Sequence, residues 1–217
     1  MKKAFLATIP VMTGYIVLGF GFGIVLDAAG YGILPALAMS VFIYAGSMQY
    51  ALVGLLTGGA SVFTVALTTL MVNARHLFYG ISMLGRYKDM GAQKPYLIFA
   101  LTDETYSLVC TGEHEKSYYL TVSALNHCYW VAGTALGSVA GTLLNFNSTG
   151  IEFALTALFL TVFVEQWLST KRHIPAIIGV AGTALCLVIF GSERFLIPAM
   201  LVIALSLCLW KERERDE

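Results

Sequence analysis

Long apolar runs, separated by short polar connections, cover most of this chain of 217 residues. The runs lie at 4–26, 33–57, 60–84, 95–112, 117–143, 150–170, 173–191 and 194–210. A helix needs about 20 residues to cross the apolar core of a bilayer, and most of the runs reach that length. Their apolarity is continuous rather than alternating, which argues against the strands of a membrane barrel. The pattern predicts an all-α, polytopic membrane protein with about six to eight hydrophobic segments in a single domain, residues 1–217.

The composition agrees with this class. Hydrophobic residues make up 58% of the chain and charged residues 12%, whereas a soluble domain carries about 25% charged residues. The formal net charge is +0, so nothing indicates a nucleic-acid partner. The first run follows Lys2 and Lys3 but is long for a signal peptide, and we expect it to be an uncleaved transmembrane helix.

The distribution of Lys and Arg bears on how the runs cross the bilayer. Basic residues at both ends of the chain and at 171–173 favour the cytoplasmic side for these positions. Eight plain crossings would then place the basic loop at 86–94 outside, against the preference of Lys and Arg for cytoplasmic loops. Broken or re-entrant helices at 33–57 and 95–112 remove the conflict, and both runs contain polar clusters. The sequence leaves the choice between these arrangements open.

One polar cluster, Asn73-Ala74-Arg75-His76, lies near the middle of the run 60–84. A guanidinium stays charged and must face a partner or water, since exposing it to lipid at the centre of a helix costs about 3 kcal/mol on insertion scales. Arg75 can clamp a carboxylate through two hydrogen bonds, and His76 can exchange a proton near neutral pH. The cluster predicts a functional site inside a helical bundle, with a structural ion pair between helices as the alternative.

Polar residues also interrupt the two runs that are candidates for broken helices. In the stretch 45–50, Gln49 can donate and accept hydrogen bonds, which suits a zwitterionic amino-acid headgroup, and ordinary interhelical hydrogen bonding is the alternative. Asp103 and Glu104 are adjacent carboxylates that repel each other and lose hydration in an apolar run. Either one is a candidate proton carrier or the counter-charge of Arg75, unless both simply begin a helix at the membrane interface.

Glycines form two patterns. Gly19, Gly21 and Gly23 alternate near the end of the first run, and three alternate glycines exceed what packing against one neighbour needs. We therefore expect the first helix to unwind there, so that backbone amides at Gly21 and Gly23 contact a ligand, with close helix packing as the alternative. A stripe of glycines at every fourth position, Gly133, Gly137 and Gly141, predicts a packing surface within the chain or against a partner.

The sequence predicts neither an enzyme nor a cofactor. It contains no P-loop motif, so ATP is not the direct energy source. The four cysteines lie in apolar stretches without a CxxC pair and are expected to be small buried hydrophobic residues rather than disulfides or metal ligands. Ser47 with His127 matches an intramembrane hydrolase dyad only generically, and we expect His127 to be a hydrogen-bonded residue of the bundle.

The polar stretches resemble those of the AzlC-type branched-chain amino-acid exporters, the azaleucine-resistance family. The similar stretches are 20–23, 45–50, 72–80 and 102–106, of which Asn-Ala-Arg-His-Leu-Phe-Tyr-Gly at 73–80 and the Asp-Glu pair are the most specific. The resemblance implies a multi-pass protein of the cytoplasmic membrane that exports leucine, isoleucine, valine or their analogues, coupled to the proton gradient. It also implies a small hydrophobic partner subunit of the AzlD type, for which the glycine stripe is a docking surface.

These observations combine into a hypothesis for a transport site. The expected substrate-binding residues are Gly21, Gly23, Ser47, Gln49, Asn73 and Arg75. Proton coupling is expected from His76, Asp103 or Glu104. A gated channel for small zwitterionic solutes and a membrane scaffold without transport activity are the alternatives. The exact amino acid stays open, because an apolar pocket separates one methylene by only about 1–3 kcal/mol.

Overall fold

The computed structural model describes residues 2–111, 114–144 and 173–191, together with isolated residues and short stretches within 160–168 and 195–210. The described part of the chain is helical and has no strand, which confirms the predicted all-α membrane class. The predicted segments 150–170 and 194–210 fall largely outside the described residues. Contacts group the chain into two units, Met1–Thr156 and Ala157–Glu217, and the single domain stays a prediction.

In the described part of the first unit, six short helices lie between two long ones along the chain. They are α1, Lys2–Ala28; α2, Ile33–Phe42; α3, Gly46–Thr57; α4, Val62–Val72; α5, Ala74–Met83; α6, Lys94–Phe99; α7, Asp103–Val109; and α8, Lys116–Leu144. A 3₁₀ turn, Gly91–Gln93, leads into α6. In the second unit the structure describes one long helix, α9, Ile174–Phe190.

The run 33–57 forms a broken helix, which is one of the arrangements that the sequence left open. Residues 43–45 separate α2 from α3, and Tyr44 adopts a φ of +44°. Residues with a bulky side chain rarely take a positive φ, and the surrounding packing must stabilise it. Tyr44 is 3% exposed and stacks on His127, with ring centroids 4.2 Å apart. The break is therefore held by buried aromatic contacts.

The run 95–112 also forms a broken helix. Residues 100–102 separate α6 from α7, and the Thr102 hydroxyl accepts a hydrogen bond of 3.3 Å from the amide of Thr105. Threonine is a preferred residue at this position because its side chain replaces a backbone acceptor that the first turn lacks. Asp103 and Glu104 follow in the first turn of α7, where the helix dipole stabilises acids.

A third break, which the sequence patterns did not predict, divides the run 60–84 at Asn73. Helix α4 ends there and α5 begins at the next residue. Asn73 has φ −94° and ψ 4°, a conformation at the edge of the helical region that asparagine adopts readily because its side chain competes for backbone hydrogen bonds. As a consequence, Arg75 lies in the first turn of a short helix and not in the middle of a long one.

By length and composition, α1 is the one helix in the described ranges that could cross a membrane by itself. Helices α2, α4 and α9 are apolar but shorter. Helix α8 has 29 residues and a more polar sequence. The runs 33–57 and 62–83 reach the length of a crossing, about 20 residues, only when both halves of a broken helix are counted.

Helices α1 and α8 approach each other through glycines on both sides. A Cβ atom at Gly19 would lie 2.8 Å from the Trp130 carbonyl oxygen, and one at Gly133 would lie 2.7 Å from that of Ile16. A Cβ atom at Gly137 would collide with the backbone of Phe20. Small residues are what allow two helix backbones to come this close in a membrane.

This contact corrects the docking surface proposed from the sequence. The stripe of Gly133, Gly137 and Gly141 is a packing surface, as predicted, but α1 covers it. Even at Gly141 an added Cβ would lie 3.0 Å from the Cβ of Asp27, near the end of α1. The stripe therefore cannot hold a partner subunit in this conformation, because the first helix of the same chain already occupies it.

The predicted unwinding of the first helix is wrong. Helix α1 is continuous from Lys2 to Ala28, so Gly21 and Gly23 lie within its ladder of backbone hydrogen bonds and offer no free amides. The alternation has a different cause, because the glycines serve two neighbours. Gly23 faces the backbone of α8, and a Cβ atom at Gly21 would lie 2.7 Å from the Tyr50 hydroxyl.

The cysteines carry no disulfide in the described residues, where Cys110, Cys128 and Cys186 are free. Cys186 on α9 is buried, as expected, whereas Cys128 on α8 is exposed. An exposed cysteine in an apolar protein needs no polar partner, because its thiol behaves as a weakly polar hydrophobic group. Cys208 lies outside the described residues.

Candidate functional site

The starts of three short helices meet at Arg75. Its Nη1 atom lies 2.5 Å from Oδ2 of Asp103, and its Nη2 atom donates a hydrogen bond of 3.1 Å to the Ser47 hydroxyl. Ser47, Arg75 and Asp103 belong to the first turns of α3, α5 and α7. Each residue therefore follows one of the three breaks, and we call this the break junction.

Electrostatics explain why these residues pair. A cation near the start of a helix is disfavoured by the dipole of that helix, so Arg75 requires a nearby anion, whereas Asp103 is favoured at the start of α7. The Arg75 and Asp103 side chains are 37% and 33% exposed. Exposed ion pairs contribute about 0–1 kcal/mol to stability, so this pair is poorly suited to be only a structural clamp.

Three buried polar atoms at the break junction have no hydrogen-bond partner among the described residues. They are Asn73 Oδ1, Arg75 Nε and Asp103 Oδ1. A buried polar atom without a partner costs about 1–3 kcal/mol. Together the three atoms supply one donor and two acceptors beside a fixed pair of opposite charges. The junction can therefore bind a small group that carries both charge signs. Tyr79 lies close enough to interact electrostatically with both Arg75 and Asp103.

Glu104 belongs to a separate cluster of hydrogen bonds. Oε2 of Glu104 accepts a hydrogen bond of 2.6 Å from the Tyr15 hydroxyl, which also lies 2.6 Å from the Thr102 hydroxyl. Thr102 contacts Thr105 at 3.0 Å, and Asn126 Nδ2 donates to Thr105 at 3.0 Å. We call these five residues the Glu104 chain. It links α1 and α8 to the break junction.

Gln49 lies outside the break junction. It is fully buried, its Nε2 atom donates to the Ser40 hydroxyl at 3.3 Å, and its Oε1 atom accepts a hydrogen bond of 2.9 Å from the Trp130 indole. Ser40 in turn donates to Thr134 at 2.9 Å. This geometry matches the interhelical alternative, because the contacts connect α2 and α3 to α8. A direct contact of Gln49 with substrate stays a prediction.

His76 makes local contacts. Its Nδ1 atom lies 3.2 Å from the Asn73 carbonyl oxygen, and its ring packs edge-on against Tyr79 with centroids 5.8 Å apart. Its part in proton exchange stays a prediction.

His127 is a hydrogen-bonded residue of the bundle, with Nε2 3.2 Å from the Ser40 carbonyl oxygen and Nδ1 3.3 Å from the Tyr96 hydroxyl. Both ring nitrogens of His127 are engaged in this way, and the Ser47 hydroxyl accepts from Arg75. Ser47 and His127 therefore do not form the hydrolase dyad that the sequence matched only generically.

The sequence patterns did not single out Tyr15, Tyr44 and Trp130, which pack around the first break. The ring of Tyr15 on α1 packs edge-on against the rings of Trp130 and Tyr44, with centroids 5.5 Å and 6.4 Å apart. Tyrosine and tryptophan are common in membrane helices, so their presence carries little information. The position of Tyr44 directly before the small residues Ala45 and Gly46 was the one available signal.

Comparison with known families places these features in a wider group. Residues 10–144, which include all three breaks and the Glu104 chain, match the family model of the AzlC protein. The chain belongs to the AzlC family. This confirms the resemblance seen in the sequence.

Several curated proteins are similar over nearly the whole chain. The branched-chain amino acid transport protein AzlC of Bacillus subtilis is 42% identical over 93% of this chain and 82% of its own length. An uncharacterized membrane protein of Helicobacter pylori is 40% identical over 98% of this chain and 95% of its own. The inner membrane protein YgaZ of Escherichia coli is 27% identical over 90% of this chain and 82% of its own length. No solved structure matches this AzlC-family chain.

Proposed function

We propose that this AzlC-family chain is a secondary transporter that crosses the cell membrane several times and exports branched-chain amino acids. The name of the Bacillus subtilis relative, a branched-chain amino acid transport protein, supports the substrate class. The resemblance of the polar stretches to the AzlC-type exporters supports export, coupling to the proton gradient and a small AzlD-type partner subunit. Transport without catalysis also agrees with the absence of an enzyme motif from the sequence.

The observation that carries the proposal is the half-exposed pair of Arg75 and Asp103, with its unpartnered atoms. An amino acid presents a carboxylate and an ammonium on one carbon. The carboxylate can take the place of Asp103 at Arg75, where Nε and one Nη give the bidentate geometry that guanidinium favours. The ammonium can then bind Asp103. Replacing one ion pair by two leaves no charge uncompensated, which limits the cost of desolvation.

Neighbouring groups complete this arrangement. The Ser47 hydroxyl accepts a hydrogen bond of 3.1 Å from Arg75. Its own hydrogen can be donated to the substrate carboxylate that binds next to the guanidinium. The unpartnered Oδ1 atom of Asn73 can accept a hydrogen bond from the ammonium. Gly21, Gly23 and Gln49 have no place in this proposal, because the two glycines pack against other residues and the Gln49 amide is already paired.

The side chain of the substrate needs an apolar surface next to these groups. Tyr79 provides one, and it stacks on Tyr106 with ring centroids 4.4 Å apart. Apolar contacts separate substrates that differ by one methylene by about 1–3 kcal/mol. We therefore expect leucine, isoleucine and valine to compete with one another, with modest differences in affinity.

Transport in vesicles tests the proposal. The chain is reconstituted with and without its small partner, in liposomes loaded with labelled leucine, and efflux is followed under an imposed pH gradient. We expect Arg75→Ala to reduce efflux by about 100-fold, because the substrate carboxylate then loses a charge-assisted bidentate contact. Lys88→Ala is the matched control, since Lys88 is an exposed cation in the loop after α5.

The outcomes separate the alternatives. Normal efflux by Arg75→Ala would eliminate the proposed binding site. Flux that follows the leucine gradient but ignores pH would identify a gated channel. Loss of efflux only in proportion to the amount of assembled protein would identify a scaffold.

A further inference from the structure

We infer that Glu104, rather than its neighbour Asp103, is the group that carries the proton in the transport cycle. Tyr15 is its positioning residue. The inference rests on the proposed function and assigns its proton-coupling step to one of the candidate residues. Four observations support it: one concerns the partner of Asp103, and three concern the groups around Glu104.

The first observation is that Asp103 is already committed to a permanent cation. Its Oδ2 atom lies 2.5 Å from Arg75 Nη1, and a guanidinium does not lose its charge in proteins. Protonation of Asp103 would leave that cation without its anion, and it would also remove the charge that attracts the substrate ammonium. Asp103 is therefore required in the ionised form throughout the cycle.

The second observation is that the Glu104 chain accommodates both charge states of Glu104. When Glu104 is ionised, Tyr15 donates to it at 2.6 Å. When Glu104 is protonated, this hydrogen bond can reverse, and the Tyr15 hydroxyl can then donate to Thr102, because either of these two hydroxyl groups can be the donor and a hydroxyl hydrogen rotates freely. Thr102 in turn donates to Thr105 at 3.0 Å. The distance of 2.6 Å between Tyr15 and Glu104 suits both directions.

The third observation is that the chain ends in a buried amide that can both donate and accept. Asn126 is fully buried, its Nδ2 atom donates to Thr105 at 3.0 Å, and its Oδ1 atom has no partner among the described residues. Thr105 also accepts from Thr102, so rotation of this amide by half a turn would present Oδ1 as an acceptor for the Thr105 hydroxyl hydrogen.

The fourth observation is a buried hydroxyl next to Glu104. Tyr44 is 3% exposed, its hydroxyl has no partner among the described residues, and it lies within electrostatic range of Glu104. The titratable and charged groups that face Glu104 are therefore Tyr15 from α1, Tyr44 from the first break and Asp103 with its partner Arg75. From α8 the neutral amide of Asn126 contacts the chain at Thr105. Apart from Asp103 and Arg75, the groups named here are neutral phenols and an amide, so none of them forms an ion pair with Glu104 that proton transfer would have to break.

The position of Glu104 next to Asp103 supplies the coupling. An ionised Glu104 adds a second negative charge close to the place where the substrate ammonium binds, and Coulomb attraction then strengthens binding. A proton on Glu104 removes that attraction. Proton and amino acid therefore disfavour each other's binding, and by linkage the effect is equal in both directions. This antagonism is what export in exchange for protons needs.

The test compares two fluxes in the reconstituted protein. Exchange of labelled for unlabelled leucine needs no net proton movement, whereas net efflux under a pH gradient does. We expect Glu104→Gln to retain measurable exchange that no longer depends on pH, and to lose the stimulation of efflux by the gradient. Asp103→Asn should lose both fluxes. Glu115→Gln, at an exposed acid before α8, is the matched control.

A second variant examines Tyr15 and also covers the case in which Glu104→Gln does not assemble. Tyr15→Phe removes a hydrogen bond that is stronger to the ionised carboxylate than to the protonated one, because it is charge-assisted, so the pH at which efflux is half-maximal should shift by about one unit to the alkaline side. Tyr129→Phe, which removes another hydroxyl of the bundle, at 3.3 Å from Thr8, is the control and should leave the pH profile in place.

Efflux by Glu104→Gln that still responds to the gradient would overturn the inference and leave the proposed function intact. An unshifted pH profile of Tyr15→Phe would also contradict it. If the unmodified protein exchanges no leucine at all, the proposed function fails, and the inference fails with it.

Discussion

The break junction and the α1–α8 pair solve the problem of bringing helices together in opposite ways. Along α1 and α8 the glycines allow backbone to approach backbone, and the contact is made by atoms that need no polar partner. At the junction the chain interrupts three helices and leaves the Arg75 and Asp103 side chains partly exposed, with buried polar atoms that have no partner among the described residues. The comparison indicates that one region acts as the frame and the other as the site.

Residues of the frame also reach into the site. Tyr15 belongs to α1 and contacts Glu104, and Trp130 belongs to α8 and holds Gln49. A rigid helix pair can therefore position side chains against broken helices that are free to rearrange. If this division is correct, substitutions in the frame lower the amount of folded protein, whereas substitutions at the junction lower transport.

The largest effect is expected from the frame. Gly137→Leu places a side chain against the backbone of Phe20, which cannot move aside, so α1 and α8 can no longer pack. We expect little or no monodisperse protein in detergent after size-exclusion chromatography. Gly54→Ala, at a helical glycine with open space around it, is the control and should assemble normally. Normal assembly of Gly137→Leu would remove the distinction between frame and site.

The next effect concerns the ion pair. Asp103→Asn leaves Arg75 with a neutral neighbour and removes the charge that would bind the substrate ammonium. We expect the single variant to lose leucine transport with little change in Tm, because an exposed ion pair contributes about 0–1 kcal/mol to stability, and the double variant Arg75→Gln with Asp103→Asn to lose transport as well. Recovery of transport by the double variant would show that the pair is structural.

Gln49→Leu distinguishes the two explanations of Gln49. The substitution leaves the buried Trp130 indole without a partner and removes the donor to the Ser40 hydroxyl, so we expect a loss of stability of about 1–3 kcal/mol. The KM for leucine should be unchanged in the protein that folds, because the amide faces other side chains. Measurement of Tm together with KM decides, and a raised KM would restore the role in substrate binding that the sequence predicted.

The smallest effect is expected at the edge of the site. Ser47→Ala removes one neutral acceptor from the guanidinium, a hydrogen bond of about 1 kcal/mol. We expect a rise in KM of about fivefold with unchanged Tm. Ser82→Ala provides the comparison, since Ser82 on α5 is exposed and donates to Tyr106 instead. Equal effects of the two serine substitutions would argue against a junction centred on Arg75.

Part of this architecture was predictable from the sequence. Polar residues in the apolar runs 33–57 and 95–112 made broken helices one of two arrangements that the sequence left open, and the structure has the broken ones. The break at Asn73 was missed because a cluster of functional residues and a helix boundary look alike in sequence. The glycines of α1 were misread as an unwound segment, since a list of residues does not show that Gly21 and Gly23 face two different neighbours.

Local sequence was enough to predict the class of protein, the polar residues that a membrane helix cannot expose to lipid and the family to which the chain belongs. Composition and short motifs carry this information, because the cost of placing a polar group in lipid depends on the residue itself. Which of these residues meet depends instead on how the helices pack. Tyr15 and Glu104 stand 89 positions apart in the chain, and their contact depends on how α1 packs and where α7 begins. The same packing assigned adjacent carboxylates to different partners, Asp103 to a guanidinium and Glu104 to a phenol.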